Sequence, residues 1–86
     1  MATIETVQDE WKLLMEVSGD FFVQCTSQVE GEVYRSDTLP TSTDTGYLLL
    51  RGAVVTQDNF SNNTGTNLYG RNWGGAGEGT AEFRCE

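Results

Sequence analysis

The sequence predicts an all-β chain, a small antiparallel β-sandwich or jelly-roll-like barrel of six to seven short strands with a short N-terminal arm. Short runs rich in Val, Phe, Tyr, Leu and Thr keep returning between clusters of Gly, Asn, Asp and Ser, the punctuation expected of strands and turns. No stretch holds a 3.6-residue apolar period for long, which argues against amphipathic helices. Several runs alternate apolar and polar residues, as a half-buried strand must. At 86 residues the chain can close one modest core, so a single β domain is expected over residues 11–86, with the arm at 1–10.

The elements follow in order. MATIETVQDE is polar with isolated Ile4 and Val7, which reads as an arm free to dock on a neighbour. Trp11, Leu13, Met15 and Val17 share one parity while Lys12 and Glu16 are charged, with Leu14 the exception. That is strand patterning. Ser18-Gly19-Asp20 supplies turn chemistry before Phe21, Val23 and Cys25, so a tight hairpin is expected between these two strands. Over residues 29–36, Val29, Gly31, Val33 and Arg35 fall on one side and Glu30, Glu32, Tyr34 and Ser36 on the other, a half-exposed strand. The Asp37–Gly46 segment holds the only proline, Pro40, and reads as an ordered surface loop. Tyr47–Leu50 and Ala53–Thr56, broken by Arg51-Gly52, read as two strands about a tight turn or as one bulged strand. Asp58–Asn67 is a second polar loop, and residues 68–73 and 80–86 form a final pair around GGAGEG.

Composition excludes more than it identifies. Thirteen acidic residues against five basic ones give a net charge of −8, which repels a phosphate backbone and argues against nucleic-acid binding. An acidic surface suits solvent or a basic protein partner. No apolar run approaches the roughly 18 residues of a membrane span, and the first ten residues lack the basic start and apolar stretch of a signal peptide. With no histidine and two cysteines far apart in sequence, the usual general base, zinc site and Cys/His nucleophile pair are missing. No catalytic residue, metal ligand or cofactor is therefore assigned. Glu30 and Glu32 share a strand face and read as exposed sheet surface rather than an acid/base pair. Gly74–Gly79 resembles a phosphate loop only in composition, and Asp58 with Asn59, Asn62 and Asn63 misses the EF-hand spacing. The two glycosylation sequons at Asn59 and Asn62 read as chance matches in an Asn-rich loop. Cys25 and Cys85 both fall on inward strand positions, as two buried thiols or, if their strands are neighbours, as a disulfide.

Four segments carry a family resemblance: FFVQC, EVYRSDTLPTSTDTGYLLL, LYGRNWG and a C-terminal β strand. From Asp20 onward their order resembles that of small accessory virion proteins of tailed bacteriophages, although the Asp58–Asn67 loop and the acidic arm depart from it. The resemblance implies a capsid decoration protein, or a fibre or spike component, placed on the virion and often trimeric. It agrees with the size: a core this small typically supplies only about 3–5 kcal/mol without staples or a partner, so a homo-oligomer is expected. Ile4, Val7 and Trp11 are the candidate interface residues, with another virion protein as partner. The alternative is a carbohydrate-binding adhesin, in which Tyr69 and Trp73 stack on sugar rings; among the other aromatics Trp11, Tyr34 and Tyr47 are expected to pack in the core or at a subunit contact.

Overall fold

A computed structural model describes residues 2–7, 10–17, 20–27, 29–41, 47–49, 52–56, 60, 65–73 and 79–86. Its described strands are β1 (Ala2–Thr6), β2 (Lys12–Glu16), β3 (Phe22–Cys25), β4 (Gly31–Ser36), β5 (Tyr47–Leu49), β6 (Val54–Thr56), β7 (Asn67–Asn72) and β8 (Ala81–Cys85). Two four-stranded sheets form, ordered β1-β8-β3-β6 and β2-β7-β4-β5, and every pairing is antiparallel. First pairs with last, second with seventh, third with sixth and fourth with fifth. Such a ribbon, wound so that its pairs alternate between two sheets, is a jelly roll, and the sandwich predicted from the sequence takes this form. Residues 11–86 hold seven of the strands. The eighth, β1, comes from the segment expected to be an arm, and it lies along β8 with Ala2 opposite Cys85.

This winding corrects two expected hairpins and both alternatives offered for residues 47–56. β2 and β3 lie in different sheets, as do β5 and β6, and β7 and β8. Of consecutive strands only β4 and β5 pair, with Val33 opposite Tyr47. Turn residues favour a reversal of the chain, but a reversal closes a hairpin only if both flanking strands enter the same sheet. Here the chain crosses from one sheet to the other. At the β5–β6 crossing Gly52 takes a φ of +82°, a left-handed conformation that favours glycine, and its N–H donates to the Cys25 carbonyl at 2.7 Å.

The core lies between the sheets. Phe83, Leu68, Val23, Val33 and Val55 are its largest fully buried side chains. Leu14, the exception to the alternation, points into it at 5% exposure while Leu13 stays 45% exposed. The cause is a β-bulge: Leu13 pairs with Tyr69 and Met15 with Leu68, so Leu14 is the extra residue and the parity of β2 breaks there. Phe83 fills space that Gly31 leaves open on the facing sheet, where any Cβ would collide with the ring. Cys25 and Cys85 are both buried and free. Their strands are neighbours, but Cys25 faces Phe83 and Cys85 faces Val23, a diagonal separation of roughly 7–8 Å that a disulfide does not span without backbone movement.

Buried polar residues tie the layers. Asn72 is fully buried; its Oδ1 accepts from Thr6 Oγ1 at 3.0 Å and from the Ala81 N–H at 2.8 Å, and its Nδ2 donates to the Gly79 carbonyl at 2.7 Å. One β7 side chain thereby joins its own sheet to β1 and β8 of the other. Toward the opposite end of the sandwich, Arg35 donates through Nε to the Gly65 carbonyl at 2.6 Å and through Nη1 to the Phe60 carbonyl at 3.4 Å. Its guanidinium carbon lies 5.9 Å from the centre of the Phe21 ring.

Candidate functional site

Alternation along each strand leaves two outward faces. On the β2-β7-β4-β5 sheet, the register sets Glu32 opposite Arg71 and Tyr34 opposite Tyr69, with Leu13 beside Tyr69. Apart from Leu13, these residues are not bare surface. Glu32 and Arg71 form a salt bridge at 4% and 6% exposure, which corrects the reading of Glu30 and Glu32 as an exposed pair. The Arg71 guanidinium carbon sits 4.2 Å from the centre of the Trp11 ring, and the Trp11 and Tyr34 centroids are 5.8 Å apart. A cation–π contact this desolvated is worth about 2 kcal/mol. The Trp11 indole N–H donates to the Thr41 carbonyl at 2.9 Å, so the segment after β4 lies over this face.

The candidate residues from the sequence separate into different environments. Ile4 is half-buried against the core and pairs with Phe83. Val7 is 48% exposed, bridges to Glu10 and accepts the Asn72 N–H on its carbonyl at 3.3 Å. Trp11 is held in the stack just described at 7% exposure. Tyr69 is 8% exposed, and its hydroxyl accepts from Asn67 Nδ2 at 3.3 Å. Trp73 is 38% exposed and donates its backbone N–H to the Glu30 carbonyl at 2.9 Å. Tyr69 and Trp73 stand four residues apart along one strand line, roughly 13 Å, one covered and one open. Residues 58, 59 and 61–64 of the Asp58–Asn67 loop, both sequon asparagines among them, and residues 74–78 of the Gly-rich stretch lie outside the described residues.

On the β1-β8-β3-β6 sheet, Glu5 stands opposite Glu82, a like-charge pairing that weakens an edge. Thr26 Oγ1 donates to Glu82 Oε1 at 2.9 Å, and Arg84 makes an exposed ion pair with Glu86 at 3.7 Å, worth little in water. Burial sharpens the charge balance. Two of the five basic residues, Arg35 and Arg71, are withdrawn from the surface, while Glu5, Glu10, Glu16, Asp20, Asp37 and Glu86 remain exposed. A shallow open depression of about 480 Å³ lies between Glu16, Val17, Thr66 and Asn67. Among the described residues no three His, Cys, Asp or Glu side chains gather as a metal site would require.

Sequence reasoning missed Asn72, Arg35 and the Glu32–Arg71 pair as buried groups. Arg35 carried a usable signal, since it shares the parity of Val33. Asn72 carried none, because its partners Thr6 and Ala81 are distant in sequence. No protein-family model matches the chain, and neither does any curated protein or solved structure.

Proposed function

We propose that the chain is a structural component of a phage virion, a capsid decoration protein that stabilises the shell by binding neighbouring subunits. The observation that carries this reading is how the buried polar chemistry is used: among the described residues no buried side-chain nitrogen or oxygen lacks a hydrogen-bond partner. Asn72, Arg35 and the Glu32–Arg71 pair are spent on joining strands and loops, which leaves the outward faces as the place for function. Two further points support it. The four resembling segments supply β3, β4, β5, β7 and β8, and the jelly roll recurs among viral capsid domains, an analogy of fold rather than of site.

The same proposal places the protein on the virion as a homo-oligomer, on the size argument given above, and as a trimer, which the family resemblance implies. Light scattering of the purified chain tests it: a mass three times that of the monomer is expected. A well-folded monomer that is also missing from purified particles by mass spectrometry overturns it. A carbohydrate-binding adhesin or fibre module is the second reading, favoured by the exposed indole of Trp73. Binding on a glycan array that is lost in Trp73→Ala would put that reading first.

A further inference from the structure

The segment of residues 37–41 that follows β4 is fastened at both ends. At its start the Thr38 N–H donates to Ser36 Oγ at 3.2 Å, the Asp37 carboxylate accepts the Thr66 N–H at 2.8 Å, and the Asp37 carbonyl accepts from Asn67 Nδ2 at 3.4 Å. At its far end the Thr41 carbonyl takes the indole N–H of Trp11, itself fixed by Arg71 and Tyr34, and Pro40 beside it is buried. Between these anchors stands Leu39 at 63% exposure, the highest of the exposed large hydrophobic side chains among the described residues. Leu13 projects from β2 at 45% exposure, beside Tyr69 and two residues from the Trp11 whose indole reaches Thr41.

A single exposed leucine on a loose loop is ordinary surface. Leu39 differs because its backbone is already ordered, so docking it costs the rotamer freedom of one side chain and little loop entropy. Charge narrows the partner. Asp37, Glu10 and Glu16 are exposed on the segments around these leucines, with Lys12 the one exposed base of β2. A second copy brings the same acidic set and is repelled, whereas a lysine- or arginine-bearing surface is attracted. We propose that Leu39 and Leu13 form a docking site for a different protein, one that offers an apolar socket with a basic rim.

This inference rests on the reading of the chain as a binding unit, not on the virion assignment or on the trimer. The probe is a labelled amphipathic peptide of leucine and lysine, compared with its leucine–glutamate counterpart by fluorescence anisotropy, with amide NMR shifts locating the contact. The expected result is binding of the lysine peptide with shifts centred on Leu13, Tyr34 and residues 37–41. Leu39→Asp should weaken it by about tenfold or more, as removal of a docking anchor does, while Val54→Asp on the other sheet leaves it unchanged. The glutamate peptide should bind at least tenfold more weakly. Leu39 and Val54 are both exposed, so amide spectra of the variants should keep the native dispersion. Equal loss in Leu39→Asp and Val54→Asp, shifts confined to the outer face of the β1-β8-β3-β6 sheet, or self-association through Leu39 would each overturn the proposal. Because peptide binding is read on the isolated chain, a failed trimer and a failed docking site give separate results.

Discussion

Replacing Asn72 with alanine removes a buried side chain that bonds both sheets. Three groups lose a partner: Thr6 Oγ1, the Ala81 N–H and the Gly79 carbonyl. They do not lose it equally. Thr6 Oγ1 retains the Ala81 carbonyl at 3.5 Å, and Gly79 is exposed, so its carbonyl can turn to water. Ala81 is fully buried, and its stranded N–H bears the desolvation cost, about 1–3 kcal/mol. With the vacated volume and the weakened Thr6 bond, a loss of about 2–4 kcal/mol follows. That is most of the stability of a domain this small. Urea unfolding followed by tryptophan fluorescence reads it as a lower midpoint with an unchanged slope. Thr6→Val, which keeps the shape and deletes one donor, should cost about 1 kcal/mol, and the double variant should fall short of the sum because the two residues share a bond. A loss below about 0.5 kcal/mol for Asn72→Ala, or strict additivity with Thr6→Val, would refute the account of Asn72 as the pin between the sheets.

Two further outcomes follow from the core. Gly31→Ala sets a methyl against the Phe83 ring and should lower stability by about 1–3 kcal/mol; thermal melts of Gly31→Ala and Gly31→Ala/Phe83→Leu check it, the smaller side chain recovering part of the loss. Burial pushes the Cys85 thiol up from its ordinary 9.0 to about 11. The folded state thus holds this proton more tightly than the unfolded chain, so the contribution is complete below pH 9 and disappears as pH rises toward 11, about 2–3 kcal/mol in all. Urea midpoints measured across that range should fall more steeply for the parent than for Cys85→Ala, and parallel curves would show that Cys85 does not drive the loss.

Apart from β1, which was read as an arm, the strands were legible in the sequence and their partners were not. Phe22–Cys25, Gly31–Ser36, Asn67–Asn72 and Ala81–Cys85 announce themselves because alternation is a local consequence of the pleat. Which sheet a strand enters depends on contacts up to 83 positions away, as Ala2 with Cys85, and turn residues report only that the chain reverses. Leu14 shows the limit at the scale of one residue: the alternation flagged it, but a bulge and an error in the reading look alike until β7 is seen beside it. The candidate surface divides in the same way. Composition revealed the acidic excess, whereas the withdrawal of Arg35 and Arg71 from solvent needed their partners at Gly65 and Glu32.

The position of β8 has a consequence for the order in which the fold can be assembled. It lies between β1 and β3, so the last of the described strands is an inner member of its sheet. As the chain leaves the ribosome from its N-terminal side, β1 has no strand to pair with, and β3 has only β6, until residues 81–85 emerge. The β2-β7-β4-β5 sheet can close earlier. The other sheet waits with its apolar face open, a late and non-local step of the kind that makes β-rich topologies fold slowly and exposes their unpaired edges to association in the interval.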